Sequence, residues 1–167
     1  MSIRFNVDEI LEMAETIEVN GAKFYRKAAE QISDATARGL MLDLAATEDV
    51  HRETFAAMRR GLSAKEKGES FVPPDEEVVR YLRAWADGQV FDVTKDPSEE
   101  LTGEESFEDI LRIALGREKD SVVFYLGFKD ATPKTWGREK IDEIIREEMR
   151  HIAVLTTELA RVRGELQ

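Results

Sequence analysis

Residues 47–51 read TEDVH and residues 147–151 read EEMRH, so a Glu precedes a His by three residues twice in the chain. These are the only 2 histidines among 167 residues. Spaced three apart on a helix, a carboxylate and an imidazole share one face and can aim at a common point. The two copies stand a hundred residues apart, and the same interval recurs elsewhere. Residues 17–25, IEVNGAKFY, and 117–125, REKDSVVFY, each hold a Glu followed seven residues later by Tyr, with Phe just before the Tyr. Glu18 therefore matches Glu118, Phe24-Tyr25 matches Phe124-Tyr125, Glu48 matches Glu148, and His51 matches His151. The chain reads as two copies of one helical hairpin. Each copy offers a Glu from its first helix and a Glu-x-x-His from its second. Seven residues make two turns, which puts each Tyr on its Glu's face ~10.5 Å further along the axis.

Around these motifs, apolar residues recur at helical spacing in four long segments. The first opens at Asn6, with Glu9 completing a capping box, and carries Ile10, Ala14, Ile17, Phe24 and Ala28 to about Ile32. The second spans Ala35 to Gly61, with Leu40, Leu44, Phe55 and Met58 on one side. The third starts after Ser106, with Asp109 as its capping partner, and runs through Ile110, Ala114 and Tyr125 to about Asp130. The fourth begins at Thr132-Pro133, Pro being tolerated in a first helical turn, and presents Ile141, Ile144, Ile145, Ile152, Leu155 and Leu159. Short links make each pair an antiparallel hairpin, 6–61 and 106–164. Residues 62–105 are too long for a turn. Within them EEVVRYLRAWADG places Val79, Leu82 and Trp85 at helical spacing, which predicts a short extra helix. Helices of ~25 residues are ~38 Å long, so a connection running the length of the bundle needs many residues. The expectation is an all-α single domain over 1–167: a four-helix bundle with one long crossover, the arrangement of ferritin-like folds.

Composition narrows the function. The chain is 35% charged and 42% hydrophobic without low-complexity tracts, the balance of a folding chain. The absence of cysteine excludes disulfides, thiolate metal sites, iron–sulfur clusters and redox thiols. A net charge of −11 argues against nucleic-acid binding through phosphates. No stretch approaches the ~20 apolar residues of a membrane span, and the first residues lack a signal-peptide pattern. The expected location is the cytoplasm.

The motif acids interrupt apolar stripes. Glu18 lies between Leu11 and Tyr25, and Glu148 sits amid Ile144, Ile145, Ile152 and Leu155. A buried lone carboxylate is costly unless it is paired or binds metal. Four glutamates bring −4 and two divalent ions +4, so a dinuclear site neutralises the cluster. Carboxylate and imidazole without sulfur suit iron or manganese, with zinc also accommodated. The plainer readings are surface ion pairs or a metal-free polar network. Against both stands the doubled spacing, since each of the only two histidines has its Glu. Tyr25 and Tyr125 are either core aromatics or groups beside the metals. Phe24, Phe124, Trp85 and Trp136 read as packing residues. Glu15, one turn before Glu18, is an extra acid within reach of the site, while Glu147 is expected to face solvent.

On the segments IEVNGAKFY, LAATEDVHRETF, REKDSVVFY and IIREEMRHIAVL, the chain resembles the rubrerythrin branch of the ferritin-like di-iron carboxylate superfamily. The resemblance covers all four helices. It implies Glu18 and Glu118 as terminal ligands, Glu48 and Glu148 as bridging ligands, and His51 and His151 as nitrogen ligands to two ions, iron first. It further implies an oxidoreductase acting on O₂ or H₂O₂ in defence against oxidative stress, of the ferroxidase or peroxide-reductase type, assembled as a homodimer or larger oligomer. A non-catalytic metal storage, delivery or sensing protein with the same site is the alternative. Two departures stand out. Rubrerythrins append a rubredoxin domain with four cysteines, and here there are none, so a separate electron donor is expected. The peroxide-reducing members also carry an exchangeable acid one turn along the third helix, where this chain has Leu115 and Ser121 on either side of Glu118.

Overall fold

The computed structural model describes residues 5–68, 70–71, 76–86, 97–132 and 136–165. Four long helices carry the architecture: α1 (Val7–Gln31), α2 (Ala35–Arg60), α5 (Phe107–Ala131) and α6 (Arg138–Val162). α1 packs along α2 and α5 along α6, and the two hairpins meet through α1 against α5 and α2 against α6.

The helix ends follow local chemistry. Asn6 caps α1 by accepting from the Asp8 N–H at 2.9 Å, so the box expected with Glu9 is replaced by a shorter reach. Asp34 accepts from the Ala37 N–H at 2.8 Å to start α2, and Gly61 ends it. At α5 the expected capping box is present, with Ser106 Oγ accepting from the Asp109 N–H and the Asp109 carboxylate from the Ser106 N–H, both at 3.1 Å. The start of α6 differs from expectation. It begins at Arg138, beyond Thr132-Pro133, because Thr132 is spent as the C-cap of α5. Gly137, at φ 82°, makes the left-handed turn into α6 that a residue with a Cβ rarely adopts. Arg138 ties the link down by donating to the carbonyls of Thr132 and Asp130. Pro133 itself lies outside the described residues.

The crossover contains the expected extra helix, α4 (Glu76–Ala86), and a shorter one not foreseen, α3 (Ala64–Gly68). Two-residue strands β1 (Phe5–Asn6) and β2 (Ser70–Phe71) pair antiparallel, and a 3₁₀ turn spans Pro97–Glu100. α4 packs on α5, burying Leu82. Gly127 on α5 makes room for the contact, since a Cβ there would stand 3.0 Å from the Tyr81 ring. The side chains of Val79 and Trp85 lie outside the described residues. Trp136 packs against the core as expected. No helix among the described residues is long and apolar enough to cross a membrane.

The core divides into two apolar clusters. One joins the first half of α1 (Val7, Ile10, Leu11) to Phe55, to Phe124–Phe128 of α5 and to Ile141–Ile145 of α6. The other joins Phe24–Ile32 of α1 to the start of α2, the start of α5 and Leu155 and Leu159 of α6. The four motif glutamates fall between these plugs in each helix, so the bundle holds a polar belt about midway along its length.

Candidate metal centre

Heptad spacing puts Glu18 on the inward stripe of α1 and Glu118 on that of α5, while the i, i+3 pairs Glu48/His51 and Glu148/His151 project from α2 and α6. All six side chains are buried, with residue exposures from 0% at Glu18 and Glu148 to 7% at His151. They converge into two overlapping groups, Glu18–Glu48–His51–Glu148 and Glu48–Glu118–Glu148–His151, within each of which one donor atom per residue lies within 4.8 Å of the others. Glu48 and Glu148 belong to both. The two imidazoles face each other with ring centroids 5.8 Å apart and planes 23° from parallel.

The donors point at shared space more than at one another. His51 Nδ1 stands 3.0 Å from Glu148 Oε1 and 3.5 Å from Glu18 Oε2. His151 Nδ1 stands 3.1 Å from Glu148 Oε2 and 3.4 Å from both Glu48 Oε1 and Glu118 Oε2. Yet Glu18 Oε2, Glu48 Oε1, both Glu148 oxygens and both Nδ1 atoms make no hydrogen bond among the described residues, although all are buried. Buried polar atoms of a native fold are nearly always satisfied. Six unsatisfied donor atoms facing one another are what cation binding would satisfy.

The tyrosines answer why each half repeats a Glu and a Tyr. Tyr25 Oη donates to Glu118 Oε1, and Tyr125 Oη donates to Glu18 Oε1. Each phenol thus holds the carboxylate of the other half, fixing one oxygen and leaving the second turned to the belt. Phe24 and Phe124 are packing residues, edge-on to their tyrosines at 5.4 and 5.5 Å.

Packed by themselves, these groups compete for protons. Burial, then the neighbouring Glu48 and Glu148, pushes the Glu18 carboxyl well above its usual range, and burial does the same to Glu118. Burial alone would lower both imidazoles, but the carboxylates around them outweigh it and hold them protonated past neutrality. Glu148 goes the other way: burial opposes its charge, but the flanking His51 and His151 prevail and lower it. Burial and the accepting carboxylates push both phenols up.

Glu15 does not join the belt. It turns to Arg59, 3.6 Å away. Glu147, expected in solvent, is only partly exposed and meets His51 Nε2 at 2.7 Å. Leu115 is core, and Ser121 borders a cavity of about 20 Å³ together with Gly21, Tyr25, Glu48 and Glu118. That volume holds about one water-sized molecule. Over it lies a tight contact: a Cβ on Gly21 would stand 2.8 Å from Glu48 Oε2.

A family profile described as Rubrerythrin matches residues 9–106, the first hairpin and crossover. Among solved structures, a Thermotoga maritima protein assigned as a ferritin-like diiron-carboxylate protein superposes with a TM-score of 0.67 at 24% identity, covering 92% of this chain and 94% of that one. The likeness establishes the fold, a ferritin-like helical bundle. No curated protein matches the chain.

Proposed function

Because the chain belongs to the rubrerythrin family, we propose that it holds two metal ions in the polar belt, iron foremost, and acts as an oxidoreductase toward O₂ or H₂O₂. The observation that carries this reading is the set of six buried, unsatisfied donor atoms shared between two overlapping groups. Glu18 and Glu118 would be terminal ligands, Glu48 and Glu148 would bridge, and His51 and His151 would each give Nδ1. Two divalent charges would offset four carboxylates and let both imidazoles act as neutral ligands. Manganese and zinc suit the same donor set.

Ferrous ions in such a site would supply one electron each to the oxidant. The chain's own part is positional. Tyr25 and Tyr125 keep their protons on Oη and so hold Glu118 and Glu18 in one rotamer. The apolar plugs on either side exclude bulk water, and the small cavity at Gly21 and Ser121 leaves room beside Glu48 and Glu118 for about one water-sized molecule. No residue among the 167 is a cysteine, so these residues would take the returning electrons from a donor outside them. Anaerobic loading with two ferrous ions per chain followed by peroxide should give a fast, stoichiometric ferric absorbance change, and Glu48→Ala should abolish it. Reaction of Glu48→Ala at the wild-type rate would refute the assignment. Leu115 and Ser121, the positions one turn either side of Glu118, supply no acid of the kind expected of peroxide-reducing relatives, which gives weight to the storage, delivery or sensing alternative. Tight iron uptake with no turnover under a reductant would select it.

A further inference from the structure

His51 and His151 are twins in sequence, in burial and in turning Nδ1 to the belt. They differ in what holds the far side of the ring. Glu147 reaches from α6 across to α2 and places Oε2 2.7 Å from His51 Nε2. With Nδ1 facing Glu148 and Glu18, Nε2 carries hydrogen and donates it to Glu147. Among the described residues, the acids paired with His151 are all belt members and all meet Nδ1. A hundred residues before Glu147 stands Thr47, whose hydroxyl donates to the Asp43 carbonyl of its own helix at 3.1 Å. The twin symmetry that governs every belt residue is broken here.

Resting on the two-ion reading above, we infer that Glu147 is a positioning residue that makes the two halves of the centre unequal, so that the Glu18–His51 side binds its ion more tightly than the Glu118–His151 side. A carboxylate accepting from Nε2–H fixes the tautomer and ring angle and makes Nδ1 a stronger donor. Loss of such a partner typically costs ~10–100-fold in metal affinity. The Glu147 side chain is itself 39% exposed, with Arg150 3.8 Å from Oε1, so its replacement leaves the packed core untouched.

The test is a Co²⁺ titration of the full chain followed by visible absorbance, on wild type, Glu147→Ala and Glu147→Gln. Wild type should bind in two separable steps. Glu147→Ala should weaken the tighter step ~10–100-fold and leave the weaker one unchanged. Glu147→Gln, which keeps an accepting oxygen without the charge, should fall between. In the zinc-loaded protein, the His51 Nε2–H proton resonance should be protected from solvent exchange in wild type and exchange rapidly in Glu147→Ala at unchanged helicity. Two equal steps in wild type, or a Glu147→Ala titration superimposable on it, would overturn the inference while leaving the two-ion reading standing. No cobalt uptake by wild type would overturn that reading, and this inference with it.

Discussion

Glu48 and Glu148 each serve both donor groups, whereas Glu18 and Glu118 serve one each. Replacing a shared oxygen donor should therefore do more damage than replacing an unshared one. Glu148→Gln is expected to lose both cobalt equivalents in equilibrium dialysis, while Glu18→Gln keeps about one of two. Equal stoichiometries in the two variants would contradict the sharing. Single residues are legible in the sequence where they come in matched pairs, because a repeated Glu-x-x-His and Glu-x₆-Tyr has few explanations besides a common target. Glu147 is not. Adjacent helical residues point about 100° apart, so a position beside Glu148 reads as outward. Only the lateral approach of α2 gives that direction something to hold. Glu15 shows the converse: spacing puts it in reach of the belt, and Arg59 draws it away.

Helical glycines separate local propensity from site geometry. Gly116 lies in α5, and a Cβ added there would meet nothing within 4 Å, so Gly116→Ala should raise unfolding stability by about 1 kcal/mol in urea titration. Gly21 sits in α1 with the same propensity to gain, but its Cβ would press on Glu48. Gly21→Ala should therefore keep wild-type helicity and lose metal affinity, a split that no simple helix effect reproduces. Element boundaries are readable where a side-chain cap announces them, as at Asn6 and Ser106. The start of α6 is not, because Thr132-Pro133 looks like an opening turn, while the backbone uses Thr132 to close α5 and Gly137 to turn the corner. α3 and the β1–β2 pair escape a periodicity reading because elements of five and two residues carry too few periods to register.

At the level of the molecule, the topology follows from the loop lengths, short, long, short, since antiparallel neighbours need little chain and a crossover needs much. What the loops do not tell is that the apolar core is split into two plugs by a charged layer reaching all four helices. A ligand bound in that layer ties both hairpins together, so each divalent ion present at about 100 times its own dissociation constant should add ~2.7 kcal/mol to global stability. Thermal unfolding should then shift as one transition in wild type and stay unmoved by metal in Glu148→Gln; separate melting of the two hairpins would argue against a common layer. The exchanged tyrosines carry a further consequence. Since Tyr25 serves Glu118 and Tyr125 serves Glu18, neither hairpin completes a carboxylate–phenol pair by folding on itself. Two copies of either hairpin, related by a twofold axis, would complete both, which makes a half-length chain that dimerises the minimal architecture able to rebuild the pocket.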